Sequence, residues 1–503
     1  MRVSPWLLAA ALALPARAHA FCGFYVAGAN TKLYNNATEV VLMRQGTTTV
    51  LSMANNYQGP PSAFAMVVPV PTVIKQDQVR TLPRDVFDKI DAQGAPRLVE
   101  YWEQDPCRPP VIEDQTVALA GTTAEDDSAD DNDAPKKPYH VKVEARFSVG
   151  EYDIEVLSAK ESTGLDMWLR DHHYSIPEGA EPLLRPYIEQ GMKWFVAKVN
   201  PKKVAFDPKT GMATLSPLRF SYDSPDFTLP IRLGLANSNG TQDLIVNIVA
   251  PGDTRYEAAN YPNVLVPTNL TVNDGVRTRF AEFYAALFDH AIAAQPHAVV
   301  TEYAWSTSNC DPCAGPTLDG NDLATIGADV LGARYQDSNN FTMTRLHARY
   351  GKDLGTDLVF RAVNPIEGGR GIPDAHGEVP TAVEHASFNN FQGRYMILHP
   401  WQGEIACATP TRGTWGGPPA GQQQIATQTA GNTAFAPRGK VELATLLAKD
   451  APQIGVLVSN PVNPPLPKER PQACGGCDAS NTGALAGIAA LGLVGLARRR
   501  RRH

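Results

Sequence analysis

The chain has 503 residues, 43% apolar and 19% charged, enough apolar side chains for a large core and unlike disordered or collagen-like sequences. Its formal net charge is −7. Removing Arg2 and Arg17 with residues 1–20, and five arginines and Asp478 with residues 478–503, leaves 38 basic against 51 acidic side chains. A body of net −13 repels phosphate backbones, which argues against nucleic acid as a partner.

At the N-terminus Arg2 precedes an unbroken apolar run, Trp6 to Leu14, and Ala18-His19-Ala20 places small residues at minus three and minus one. The pattern is that of a secretory signal peptide over residues 1–20, cut after Ala20. Nine helical residues reach about 14 Å, half of a ~30 Å hydrocarbon core, too short for an anchor. Cys22 follows Phe21 instead of the cut itself, so lipidation at this end is not expected.

Residues 21–123 read as a β-rich first part of the main domain. Thr38 to Met43 and Thr47 to Ala54 form a hairpin about Gln45-Gly46, and Phe64 to Val68 is a strand that Pro69 and Pro71 should stop. Residues 124–138, with six acidic side chains between Glu125 and Asp133, read as a solvated acidic loop. The remainder of the main domain, 139–457, opens with two alternating strands, 141–149 and 152–156, broken at Gly150.

Helices are expected at 164–171 and 180–190, the second with Pro182 in its first turn and Pro186 awkwardly inside it. A strand at 193–199 follows. The strongest helix runs from Val276 to about Ala294, capped by Asn273 or Asp274, with Phe280, Phe283, Leu287, Phe288 and Ile292 on one stripe. Strands are expected at 297–305, 341–350 and 354–362, a long surface loop at 411–438 and a short helix at 441–449. Strands and helices mix without βαβ spacing, so the fold class is α+β, mostly antiparallel with several packed helices.

Residues 458–473 form an extended spacer, with five prolines between Asn460 and Pro471. Residues 474–503 hold Cys474-Gly475-Gly476-Cys477, an apolar run from Gly483 to Ala497 and the block Arg498 to Arg502. Fifteen helical residues span about 22 Å, fit for transient membrane tethering, and the arginines should stay on the cytoplasmic side. This order of features resembles the myxobacterial C-terminal sorting tail, the MYXO-CTERM type. The resemblance implies cleavage near Cys474 or Cys477 by a membrane protease, leaving the protein at the cell surface.

A second resemblance is carried by Phe21-Cys22-Gly23-Phe24-Tyr25, the stretch Gly59 to Pro71, Gly150-Glu151-Tyr152-Asp153-Ile154, Trp305 with Cys310-Asp311-Pro312-Cys313, and Thr344-Arg345-Leu346-His347-Ala348-Arg349-Tyr350. These are similar to domain-of-unknown-function family 2330, a family of uncharacterised exported bacterial proteins. The likeness implies export and a shared fold, and carries no reaction, ligand or catalytic residue.

Of seven cysteines, Cys310 and Cys313 form a C-x-x-C pair. In an exported body a structural disulfide is the expected state, with a thiol-disulfide redox centre as the alternative. A zinc site shared with Cys474 and Cys477 is disfavoured because those residues sit in the tail. Cys22, Cys107 and Cys407 leave three pairings open. His172-His173 chelates poorly because neighbours on a helix point apart, and Glu384-His385, Asp353 and Asp357 read as surface or hydrogen-bonding positions. There is no H-E-x-x-H, G-x-S-x-G, phosphate loop or dinucleotide fingerprint.

The sequence therefore points to an exported protein, at the cell surface or retained in the envelope, acting as a binding or structural component without a cofactor. Its expected partners are the export machinery and a C-terminal processing protease, with the membrane engaged at least transiently. The alternative is an envelope thiol-disulfide oxidoreductase using Cys310 and Cys313.

Overall fold

The computed structural model describes residues 24–27, 37–54, 64–107, 140–172, 174, 176, 179–206, 213–237, 240–332, 341–371, 379–419, 427–430, 441–448 and 457–458. Ala18, Ala20, Cys22, the acidic segment 124–138, His173, the spacer from residue 459 and the tail with Cys474 and Cys477 lie outside the described residues. Among the described residues no helix is long and apolar enough to cross a membrane.

The fold is a mixed α+β arrangement, rich in strand and mostly antiparallel, with few helices. Its centre is a twelve-stranded sheet whose middle strand, Gln242–Pro251, lies between Phe341–Tyr350, antiparallel, and Ala37–Gln45, parallel. Beyond Ala37–Gln45 come Thr48–Met53, Leu218–Asp223 and Val79–Thr81; beyond Phe341–Tyr350 come Val299–Ser306 and Asn390–Gln392. Sequence reading overlooked Gln242–Pro251 because Leu244 to Ala250 is nearly all apolar and shows no alternation. Such a run belongs to a strand covered on both faces.

One face of this sheet, through Val40, Leu42, Leu244, Val246, Ile248 and Leu346, packs on a five-stranded antiparallel sheet that supplies Met66, Val68, Tyr152, Ile154, Phe195 and Ala197. That second sheet has Phe64–Val70 between Phe24–Ala27 and Lys193–Val199, and ends in the hairpin Val141–Val149 and Tyr152–Ala159. Gly150 turns the hairpin at φ +55°, and a Cβ there would meet Thr81 at 2.7 Å. Helices Ser162–Asp171 and Glu181–Glu189 cover the sheet's outer face through Leu165, Trp168, Leu169 and Leu184.

The other face of the central sheet is covered by helices Asp85–Gly94 and Phe280–Ala294. A third sheet pairs Arg97–Glu103 with Arg394–His399 in parallel and packs Leu98, Tyr395 and Ile397 against Phe280–Ala294.

Three expectations are corrected. The strand at Phe64 continues through Pro69, opposite Trp194. Proline's missing N–H thus sits inside a paired strand, where a local stop was expected. The helix expected from Val276 begins at Phe280, because Asn273 caps a separate 3-10 turn, Asp274–Thr278. At 441–449 only a 3-10 turn forms, Leu443–Leu446.

Between the central sheet and its two covering helices runs a chain of alternating charges. Thr344 to Tyr350 alternates in space as in sequence: Leu346, Ala348 and Tyr350 enter the inter-sheet core, while Arg345, His347 and Arg349 face the helices. Opposite them, Val299–Ser306 carries a β-bulge between Thr301 and Tyr303. The extra residue is Glu302, and the irregularity lets its side chain join the cationic face.

Glu302 accepts from Arg345 Nε at 2.8 Å and from Tyr284 Oη at 2.9 Å, and its Oε1 lies 2.7 Å from His347 Nδ1. The other ring nitrogen of His347 lies 3.0 Å from Asp243, which Arg349 grips with two nitrogens at 3.1 Å. Asp91 closes one end on Arg345 at 2.7 Å, and Asp289 the other on Arg349 at 2.6 Å. The order is Asp91, Arg345, Glu302, His347, Asp243, Arg349, Asp289. Phe288 stacks on the His347 ring at 3.8 Å. Burial would raise the Glu302 carboxyl, but His347 and Arg345 outweigh it and hold the group at about 2. Glu39, beside the chain, goes the other way: burial and the nearby Asp91 carboxylate push it to about 8, against Arg345 and the Asn247 amide.

Neutralising Glu302 as Glu302→Gln removes the one carboxylate that Arg345 and His347 share and breaks the chain at its centre. It should cost about 3–5 kcal/mol in urea unfolding; a loss under about 1 kcal/mol would show that the chain is not central. Glu302 is depressed from 4.5 to about 2, so its contribution is present above pH 4.5 and lost as pH falls toward 2. Glu39 is raised from 4.5 to about 8, so its contribution is present below pH 4.5 and lost as pH rises toward 8. Stability of Glu39→Gln should therefore fall less than that of the parent between these two pH values, measured as unfolding midpoints.

Candidate functional site

Cys310 and Cys313 sit just past Val299–Ser306 and are joined by a disulfide. Four side chains from four elements hold their loop. Gln93, on the Asp85–Gly94 helix, donates to the Thr307 carbonyl at 2.8 Å and accepts from Leu318 N at 3.2 Å, tying the two ends of the loop together. Arg97 donates to the Pro312 carbonyl at 2.6 Å, Gln392 donates to the Asp311 carbonyl, and Tyr303 donates to the Asn309 carbonyl at 2.9 Å.

Arg97 and Arg394 are both buried, and burial pushes both guanidiniums below their ordinary value. Arg394 donates to Tyr101 Oη and Asn269 Oδ1, each at 3.0 Å. The loop carbonyls thus meet donors planted in the third sheet and in the central-sheet strands Val299–Ser306 and Asn390–Gln392.

The short helix Gly320–Leu323, capped by Asp319, lies ten residues past Cys310, so Cys310 does not sit at a helix N-terminus, the setting that lowers a redox thiol's pKa. Among the described residues no group of three or more His, Cys, Asp or Glu is placed to hold a metal ion.

The second disulfide settles what sequence left open: Cys107 pairs with Cys407, 300 residues away. Beside it Glu103 accepts from Arg412 Nε at 2.7 Å, Gly413 N at 2.9 Å and Trp401 N at 3.0 Å. Burial would raise Glu103, but Arg412 and these amides hold it at about 2. A carboxylate and a disulfide together fasten the 400–413 loop to the end of Arg97–Glu103.

The remaining candidates divide. His172 turns its Nδ1 to the Trp168 carbonyl at 2.8 Å and stacks on the Trp168 ring, a helix-end contact. Asp357 is buried and accepts from Tyr187 Oη, Ile231 N and Arg232. Glu384 and His385 are exposed, and Asp353 pairs with His297 at 3.3 Å. Both ring nitrogens of His347 face carboxylates and its surface is fully covered, so it offers neither a base to a nucleophile nor access to a substrate.

A cleft of about 520 Å³ opens where three neighbouring strands end together, at Pro251, Ser306 and Phe341. It is lined by Asp253, Trp305, Ser306, Asn309, Phe388 and Asn390, with Gly252, Phe341, Thr342 and Asn389 completing the wall. Asn309 immediately precedes Cys310, so the held loop forms part of the rim. Asp253 is fixed by Asn389, whose backbone N and side-chain Nδ2 each donate to Oδ1 at 2.9 Å.

Sequence reading noted Trp305 and the adjacent cysteines but missed Asp253 and Phe388-Asn389-Asn390. Asp253, Phe388 and Asn389 lie outside the strands and Asn390 opens a three-residue strand, so none carries a periodic signal, and they meet only through strand pairing. Trp305, opposite Asn390 across the strand pair, was the one available pointer.

Two comparisons are negative: no curated protein and no solved structure matches the chain. A third succeeds, since residues 15–361 match the family described as uncharacterised proteins conserved in bacteria, DUF2330. The match takes in the bulged strand, the alternating cations of Thr344 to Tyr350 and the Cys310–Cys313 loop, and the chain belongs to this family.

Proposed function

We propose that the protein is exported, held at the cell surface or in the outer envelope, and acts there as a binding component. The observation that carries this reading is the pair of disulfides, Cys107–Cys407 and Cys310–Cys313, which persist in oxidising compartments and are rare where thiols are kept reduced. The signal-like residues 1–20, ending in Ala18 and Ala20, and the terminal Cys474/Cys477, apolar and arginine segments agree with it. In this reading the partners of the precursor are the export machinery and a membrane protease acting near Cys474 or Cys477. The Gly483 to Ala497 segment tethers it in passing.

Binding, as opposed to turnover, is the reading the geometry supports best. The polar groups of the cleft are amides, hydroxyls and one carboxylate held in place by Asn389, with no activated nucleophile among the described residues.

Intact-mass measurement of the protein recovered from the native cell should show loss of residues 1–20 and of Arg498 to Arg502. A full-length product among soluble cytosolic proteins, with every thiol reduced, would overturn the reading. Cys107→Ser should lower unfolding stability by about 2–4 kcal/mol, as expected when a cross-link closing a long loop is removed.

A further inference from the structure

Building on the binding role proposed above, we infer that the cleft at the Pro251, Ser306 and Phe341 strand ends takes a neutral saccharide. Three observations converge. The first is charge. Among the described lining residues there is no lysine or arginine, and the only ionisable side chain is Asp253. A phosphate, a nucleotide or an acidic glycan would meet no cationic lining residue and one fixed anion there, Arg370 being turned to Asn390 and Glu367, so those classes are disfavoured.

The second is the surface offered. Trp305 is half-buried and Phe388 is 51% exposed, so two aromatic faces border the cleft. Aromatic faces are electron-rich and suit the polarised C–H faces of a pyranose ring, which are apolar enough to desolvate well.

The third is the polar set. Ser306 and Asn309 supply a hydroxyl and an amide that donate and accept at the same time, Asn390 adds an amide nitrogen while its oxygen faces Arg370, and Asp253, held by the Asn389 amide, supplies acceptors. Vicinal sugar hydroxyls need this mixture, whereas an apolar ligand would leave these groups unpaired. The positions are rigid. Asp253 is locked by Asn389, the Asn309 carbonyl by Tyr303 and the next loop carbonyls by Arg97 and Gln392, so little ordering remains to be done on binding. The volume, about 520 Å³, lies within the roughly 300–1,000 Å³ of small-molecule sites and suits a short oligosaccharide.

The test uses the protein as the cell produces it, titrated calorimetrically and by tryptophan emission with three neutral tetrasaccharides: β-1,4-linked glucose, α-1,4-linked glucose and β-1,4-linked N-acetylglucosamine. At least one should bind with a dissociation constant below about 1 mM. Phe388→Ala and Asn309→Ala, both at exposed positions, should each weaken that affinity several-fold with an unchanged circular dichroism spectrum, and Trp305→Ala at least about tenfold. The inference is overturned if none of the three binds at about 10 mM, or if Phe388→Ala and Asn309→Ala bind as the parent does. Sugar binding that fails while the mature mass and envelope location stand removes the ligand class alone. A cytosolic, full-length product removes the reading beneath it.

Discussion

The structure depends on Glu302. A carboxylate with no access to water is tolerated only if cations and hydrogen-bond donors replace its hydration, and Glu302 has Arg345, His347 and Tyr284 within reach. Each of those partners brings a further obligation. Arg345 needs Asp91, and His347 needs Asp243, which in turn needs Arg349 and leads to Asp289. The chain thereby joins three strands and two helices in one register. A slip of one residue in Phe341–Tyr350 would bury its cations in the apolar inter-sheet core, so the network specifies the pairing as well as stabilising it.

The same sheet shows how a site is positioned at its end. Glu302 fixes the middle of Val299–Ser306, and the strand then delivers Trp305 and Ser306 to the cleft and Cys310 to its rim. Because the loop carbonyls are held by Arg97, Tyr303 and Gln392, the rim inherits the rigidity of three elements instead of the freedom of a surface loop. The family match ends at residue 361, yet Asn390–Gln392 and Arg394–His399 complete this arrangement by pairing with strands inside the match. The matched segment thus contributes the interior of the sheet, while the later strands supply one wall of the cleft.

What the sequence made legible follows from physics. Residues 141–149, 152–156, 193–199 and 341–350 alternate or form short apolar runs bounded by glycine or polar turns, and strands stand there. Alternation in Thr344 to Tyr350 was visible as a strand but not as a network, because the partners Asp91, Asp243 and Asp289 lie 60 to 254 positions away. The bulge at Glu302 left no local mark, and the cysteine pairing could not be chosen from spacing. Gln242–Pro251 escaped because burial on both faces erases the period by which strands are recognised. Pro69 misled for the opposite reason, since a strong local rule gave way to the long-range pairing of Phe64–Val70 with Lys193–Val199.

The bond between Cys107 and Cys407 makes a covalent ring of three-fifths of the polypeptide, with the acidic segment 124–138 inside it. Cutting that ring once, at any peptide link, would yield a nicked molecule that migrates as one species until a reductant is added. Amino-terminal and carboxy-terminal portions would remain shackled after an internal protease had acted.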